Sequence, residues 1–305
     1  MFTLIPETHI NFMGKRRIFY IVSAAVTLIG IVAYILQGGF KYGIDFAGGR
    51  LIEIRTSQTL PVEQVRAAAA DVGFAAAEIQ RSGQGDVFLI RIPEVSDQKG
   101  GAASPSAVIR ERLTAANPGL SIELLREENV GAKVGKEIRN QAFLAILIAW
   151  GLLMIYIAFR FQFWFGVGAV IAVIHDILMT LTLFLLLGRE ITMPVIAALL
   201  TLAGYSINDT IVVFDRIREE LVKLRREPLE SVMNISINRT LSRTAITGLT
   251  TLFISVMLLV FGGPVIRDFA LAITFGIIVG TYSSIFVASA LALDIRRGRE
   301  AKTPA

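Results

Sequence analysis

The sequence predicts an α-helical membrane protein with six spanning helices and one small α+β domain inserted between the first two spans. Three observations carry this. Six long apolar segments occur, the basic residues fall mostly on one side of them, and the one long polar stretch alternates strand-like and helix-like patterns. Apolar residues make up 54% of the 305 and mean hydropathy is +0.63, whereas soluble chains sit nearer about 45–50% apolar.

A helix needs about 20 mostly apolar residues to cross a bilayer. The segments 18–36, 142–159, 163–187, 192–214, 245–261 and 269–293 meet or approach that length. The fifth is short and is expected to begin earlier than its hydropathy suggests. The first is too long for a signal-peptide core and has no small-residue cleavage site after it, so it reads as a retained anchor. With the N-terminus placed in the cytoplasm, fifteen Lys and Arg lie on the cytoplasmic side, among them Lys15, Arg16, Arg17, Arg160, Arg216, Arg239, Arg243 and Arg296. The two short outer loops hold only Arg189 and Arg267. The positive-inside rule therefore places both termini inside and the segment 37–141 outside. The expected organisation is a cytoplasmic N-terminus over 1–17, the first span over 18–36, the outer domain and its linkers over 37–141, spans two to six over 142–293, and a cytoplasmic tail over 294–305. Within the bundle, residues 217–242 are basic, and Leu229, Val232, Met233 and Ser236 repeat at helical spacing after Pro228. This predicts an amphipathic helix lying at the cytoplasmic interface.

Within the outer segment, 44–56 holds a strand-like alternating run, Leu51, Ile52 and Ile54, bounded by Gly48-Gly49. Pro61 opens a helix through Val65, Ala69 and Val72. Two strands, 76–81 and 87–92, flank a turn at Ser82-Gly83-Gln84-Gly85-Asp86. Ser104-Pro105 opens a second helix that ends at Asn117-Pro118-Gly119, and 121–126 forms the last strand. The order β-α-β-β-α-β is the split β-α-β, ferredoxin-like arrangement. That arrangement hosts many functions and assigns none.

Ionisable residues inside a span cost about 2.5–3.5 kcal/mol on insertion scales, so each needs a reason. In the fourth span Thr201, Tyr205, Asn208 and Asp209 share one face. Asp209 lies well inside it and is a candidate to gain and lose a proton, whereas Asp215 and Arg216 mark the boundary. Before the fifth span, Arg243 shares a face with Thr247, Thr250 and Thr251. The two spans run in opposite directions, which puts Asp209 and Arg243 at similar depth. An arginine stays charged and can hold a carboxylate ionised, and its withdrawal would let the carboxylate take up a proton. The plain alternative for Arg243 is an interfacial snorkelling residue. His175 and Asp176 in the third span could relay protons, although adjacent helix residues point to different faces. Asp268 opens the sixth span on the outer side and is a candidate proton entry. Gly276 and Gly280 form a GxxxG motif, read as helix packing; the hydroxyls of Thr281, Tyr282, Ser283 and Ser284 follow it.

Absences narrow the function. The chain has no cysteine and only two histidines, His9 and His175, which excludes disulfides and thiol chemistry and argues against a zinc site. No Walker loop occurs, since Gly135-Lys136-Glu137 lacks both the first glycine and the hydroxyl. Enzyme activity, cofactors, metals and nucleic-acid partners are not expected. An ion gradient is the remaining energy source, supplying roughly 2.3 kcal/mol per charge across about 100 mV.

Four motifs occur in order: Gly43-Ile44-Asp45-Phe46-Ala47-Gly48-Gly49 after the first span, Gly204 to Arg216 in the fourth, Leu241-Ser242-Arg243-Thr244 before the fifth, and Gly280-Thr281-Tyr282-Ser283-Ser284 in the sixth. Together, over about residues 10–297, they resemble the SecD/SecF family of bacterial protein-export membrane proteins, on its SecF side. That family is similar to half of a resistance-nodulation-division (RND) transporter. The resemblance implies a multi-pass protein of the bacterial cytoplasmic (inner) membrane that pairs with SecD and assists the SecYEG channel, with YajC and YidC as further expected partners. It implies that the proton-motive force moves the outer domains and draws the translocating preprotein outward. Asp209 and Arg243 match the family's proton-conducting positions, and Asp45, Gly48 and Gly49 match a region joining the outer domain to the membrane core. A further intramembrane aspartate comes from SecD in that family, which agrees with six spans where a complete transporter has twelve. The competing readings are half of an RND-type efflux or lipid transporter, which the small outer domain disfavours, and a non-transporting scaffold, which the Asp209–Arg243 pair disfavours.

Overall fold

The computed structural model describes residues 6, 8–82, 86–93 and 104–300. The predicted turn at Gly83-Gln84-Gly85 and the end of the tail from 301 lie outside them. The described chain divides into two compact units, one made of residues 1–41 and 145–305 and the other of residues 42–144.

The second unit is the α+β domain. After a two-residue strand β1 (Lys41–Tyr42) comes a single helical turn, α2 (Ile44–Ala47). The alternating run expected within 44–56 forms β2 (Gly49–Thr56), which starts at the glycine pair, while the residues before it form α2. The junction explains why. Gly48 has φ 78° and Gly49 φ 123°, both in the region closed to side chains, so an extended run from Ile44 is broken there. A four-residue helix leaves no periodicity to read in sequence. The domain continues through α3 (Val62–Asp71), β3 (Glu78–Ser82), β4 (Val87–Ile92), α4 (Pro105–Ala116) and β5 (Ile122–Val130).

The sheet order is β3-β4-β2-β5, antiparallel throughout, as the ferredoxin-like arrangement requires. Ile52 and Ile54 on the central strand, Phe88 and Ile90 beside them, and Val65, Ile109 and Leu113 from the two helices form its core. Each such side chain contributes about 1.5–3 kcal/mol by burial. Substituting Gly49→Ala is expected to cost about 1–3 kcal/mol through backbone strain, read as a lowered thermal midpoint of the purified chain. Gly131→Ala, with no positive φ and open space around the new methyl, is the control and should leave the midpoint in place.

Among the described residues, six helices are long and apolar enough to span a membrane, five wholly in the first unit and one entering it from the second. They are α1 (Arg16–Leu36), α5 (Ala132–Arg160), α6 (Phe163–Leu186), α7 (Met193–Lys223), α8 (Leu229–Phe261) and a sixth built from α9 (Gly263–Ser283), a π turn (Ser284–Ala288) and α10 (Ser289–Glu300). About half of the apolar window of α6, α7 and the sixth helix is buried within the chain, against 11% for α1 and α5 and 17% for α8. The first three therefore form the packed interior, and the others present apolar faces outward. Phe165, Phe214, Ala288 and Leu293 anchor the interior cluster.

The predicted interfacial helix at 217–242 is corrected. Here α7 runs on to Lys223, and α8 runs without a break from Leu229 to Phe261. The periodic residues Val232, Met233 and Ser236 are buried, and Met233 and Ile237 pack with Phe12 and Met13. Their apolar stripe is met by the protein's own N-terminal segment, which leaves it no need of a membrane surface.

Candidate functional site

Three helices converge on Asp209. It projects from α7 and is only 9% exposed. Its Oδ1 accepts a hydrogen bond from the Thr244 hydroxyl of α8 at 2.7 Å, and its Oδ2 accepts one from the Ser284 hydroxyl at 2.6 Å. Ser284 is the first residue of the π turn, a helix irregularity frequent at functional sites. Close approach of α9 to α7 depends on small residues. A Cβ on Gly280 would lie 3.3 Å from Ser206 Cβ, and one on Gly276 2.5 Å from the Leu202 side chain.

No ion pair joins Asp209 to Arg243 within 4 Å among the described residues. Arg243 lies on the exposed face of α8, one residue before Thr244, which takes the place beside the carboxylate. Two hydroxyls thus satisfy the buried carboxylate, and one of them has somewhere else to turn. Ser284 also has the Thr281 carbonyl 3.1 Å from its hydroxyl. If Asp209 takes up a proton, Ser284 can donate to Thr281 and accept from the acid. The arrangement accommodates both protonation states without stranding a polar group.

The remaining expected residues scatter. Asn208 and Thr247 are exposed, and the Thr247 hydroxyl donates to the Arg243 carbonyl at 2.9 Å. Asp215 pairs with Arg160 at 2.8 Å, and Asp268 with Arg189 at 3.5 Å. His175 and Asp176 are both buried and joined at 2.9 Å, so the expectation that neighbours on a helix diverge is corrected: the two side chains fold back toward each other. In the α+β domain Asp45 lies in the turn α2. Burial draws the Arg91 guanidinium below its usual arginine value, while the charges of Glu78 and Asp45 oppose that.

Two features escaped the sequence reading. Glu220 is buried and ringed by Arg239 at 2.7 Å, Arg216 at 3.0 Å and Lys223 at 3.6 Å; its signal was an acid with bases three and four residues away. Asn238 accepts from the Thr8 hydroxyl at 2.6 Å and from the Ile10 amide at 2.9 Å, and Asn234 accepts from the Met13 amide at 2.9 Å. These asparagines strap the N-terminal segment to α8. A cavity of about 790 Å³ beside this strap, lined by Thr8, His9, Pro228, Asn238, Arg239 and Arg297 among others, includes none of the intramembrane polar groups.

Comparison with known proteins gives a consistent result. The family model described as the C-terminal part of protein export membrane protein SecD/SecF matches residues 109–298, and the SecD/SecF GG motif matches residues 34–60. The protein translocase subunit SecF of Thermodesulfovibrio yellowstonii is 43% identical over 297 residues, covering 96% of this chain and 97% of its own. The subunit SecF of Desulfurispirillum indicum is 44% identical over 286 residues, covering 93% and 90%. The crystal structure of SecDF from Thermus thermophilus, a translocon-associated membrane protein, superposes with TM-score 0.84 at 41% identity. That match covers 97% of this chain and 40% of the SecDF chain. Six spans, a ferredoxin-like insert and near full-length identity point the same way: the chain belongs to the SecD/SecF family of protein-export membrane proteins, as a SecF-type translocase subunit in a transport rather than an enzyme family.

Proposed function

We propose that this chain is the SecF half of a proton-driven pair that promotes preprotein movement through SecYEG, with Asp209 as the group that carries the proton. The observation that carries this reading is the Asp209 carboxylate, buried among three helices and hydrogen-bonded by two hydroxyls, of which Ser284 has a second acceptor to turn to. SecD is the proposed partner. The chain spans 40% of a relative named SecDF, in which both halves share one polypeptide. The outward apolar faces of α1, α5 and α8 offer area for such a partner. Arg243 on the exposed face of α8 supports this too, since a guanidinium facing lipid is costly and a carboxylate from a second chain would offset that cost. YajC or YidC are proposed as further neighbours. Fifteen basic residues against two support an orientation with both termini in the cytoplasm of a bacterial inner membrane and the α+β domain, read as 37–141 with its linkers, on the far side.

The test is preprotein export in vesicles carrying the chain with its partner, with and without a proton gradient. The gradient should accelerate export. Arg243→Ala should remove that acceleration, and Arg243→Lys should retain part of it, because lysine keeps the charge and loses the planar fork. A gradient response equal in all three proteins would reduce Arg243 to an interfacial residue, and no response in the wild type would refute the coupling itself.

A further inference from the structure

A buried ionisable pair lies midway along α6 and has no part in the reading above. Asp176 is fully buried and His175 is 9% exposed. His175 Nδ1 lies 2.9 Å from Asp176 Oδ1, and His175 Nε2 lies 3.0 Å from Ser23 Oγ of α1. Ser23 Oγ is 2.9 Å from Tyr282 Oη of α9, and that hydroxyl is 3.0 Å from the Phe19 carbonyl of α1. At the other end, Asp176 Oδ2 is 2.5 Å from Ser206 Oγ of α7. Four helices meet along one unbranched line of contacts.

The hydrogens along this line can be counted. A carbonyl cannot donate, so the Tyr282 hydroxyl gives its proton to Phe19. Ser23 must then give its single proton to Tyr282. Having done so it can only accept from His175, which requires a proton on Nε2. The contact between Nδ1 and Oδ1 requires another, on either atom, because two bare lone pairs repel. All these contacts are hydrogen bonds at once only when the His175–Asp176 pair holds at least two protons.

We propose that the His175–Asp176 dyad is a second proton-binding site of the membrane unit, seen here loaded, and that its occupancy is registered by helix α1. Loss of one proton to water leaves a neutral imidazole with Nδ1–H facing a carboxylate. Nε2 then needs a donor. Ser23 turns to it, Tyr282 turns to Ser23, and the bond from Tyr282 to the Phe19 carbonyl is lost. Only N–H and O–H protons move, and the released proton is the one balance. An α9–α1 contact is therefore made or broken by a protonation event on α6. Helix α1 leads directly into the α+β domain in sequence, and little of it is buried within the chain. The other titratable groups on the surrounding elements are few. Tyr282 has its ring 6.1 Å from that of His175. Asp209 on α7 lies one turn beyond Ser206 and is turned to Thr244 and Ser284. Tyr20 on α1 is bonded to Asp294 of α10, which also pairs with Arg16. Among the described residues, no lysine or arginine forms an ion pair with Asp176.

The role of the dyad in export rests on the proton-coupling reading above; its proton occupancy does not. The chain has only two histidines, so His9→Gln leaves His175 as the single reporter. Nitrogen-15 spectra of histidine-labelled His9→Gln protein, in nanodiscs with its partner, read which ring nitrogens carry protons. The expected result is a protonated Nε2. A neutral ring with bare Nε2 and protonated Nδ1 would overturn the proposal. Tyr282→Phe frees Ser23 to donate and should raise the share of that second form; an unchanged share would break the link to the Ser23–Tyr282 line. In the vesicle assay, His175→Gln should lose gradient-stimulated export, and a gradient response equal to wild type would make the dyad structural. If instead Asp209→Asn keeps its gradient response, the coupling reading fails while the spectra still decide the dyad.

Discussion

Asp209→Asn will leave preprotein export at the rate it has without a proton gradient. Asparagine has nearly the same volume and keeps both contacts: its oxygen accepts from Thr244, and its amide can donate to Ser284, whose own proton then goes to the Thr281 carbonyl. Exchanging one satisfied group for another changes stability by about 1 kcal/mol, so the protein should fold and keep its partner. What it cannot do is bind and release a proton. The measurement is export with and without a gradient, alongside the yield of chain recovered with its partner. Normal partner recovery with no gradient response supports Asp209 as the proton carrier. An undiminished gradient response would make Asp209 a structural acceptor and move the scaffold reading forward. Asp209→Ala is a poorer test, since it leaves two buried hydroxyls without their acceptor and lowers yield for reasons unrelated to protons.

Gly168→Ala should give the largest loss of stability of any single added methyl group considered. A Cβ there would lie 2.7 Å from the Ala288 carbonyl oxygen and 3.3 Å from the Ala292 nitrogen. Both are backbone atoms of the sixth helix, so no rotamer change relieves the clash; the helices must part. Overpacking of this kind costs about 1–3 kcal/mol, occasionally more. The expected result is a lowered thermal midpoint of the purified chain and a reduced folded yield. At Gly276 the obstacle is only the end of the Leu202 side chain, which can turn away, so Gly276→Ala should cost less. Gly151→Ala meets nothing within 4 Å and, lying in a helix, should be neutral or stabilising by up to about 1 kcal/mol. A Gly168→Ala midpoint equal to that of Gly151→Ala would show that α6 does not pack on the π turn as described.

Much of this architecture was legible because hydropathy and strand alternation are properties of the chain itself. The six spans follow from runs of apolar residues, and the split β-α-β order follows from Pro61, Ser104-Pro105 and the alternating run at 87–92. Where reading failed, the missing quantity was a rotation or a partner. Position along a helix is countable, so Asp209 and Arg243 could be set at one depth. Rotation about the helix axis is not, and a turn of one residue puts Thr244 in place of Arg243 beside the carboxylate. The first half of α8 looked like an interfacial helix because its apolar stripe had no visible partner; Phe12 and Met13, more than 200 positions away, supply it. Glu220 and its three basic neighbours were individually plain, and only folding shows that the acid is buried and the bases surround it.

The π turn at Ser284 puts a helix irregularity and a contact to a buried carboxylate on one residue. A π turn holds one residue more than its helix needs, and the Ser284 carbonyl there is met by the Ser289 hydroxyl at 2.9 Å. Rewinding that turn to ordinary pitch would shift the phase of all that follows by about 100°, swinging the faces of Leu293 and Asp294 around the bundle. The hydroxyl that meets Asp209 sits at the start of this same turn. The winding of the sixth helix and the contact to a carboxylate on the fourth thus share one residue, Ser284.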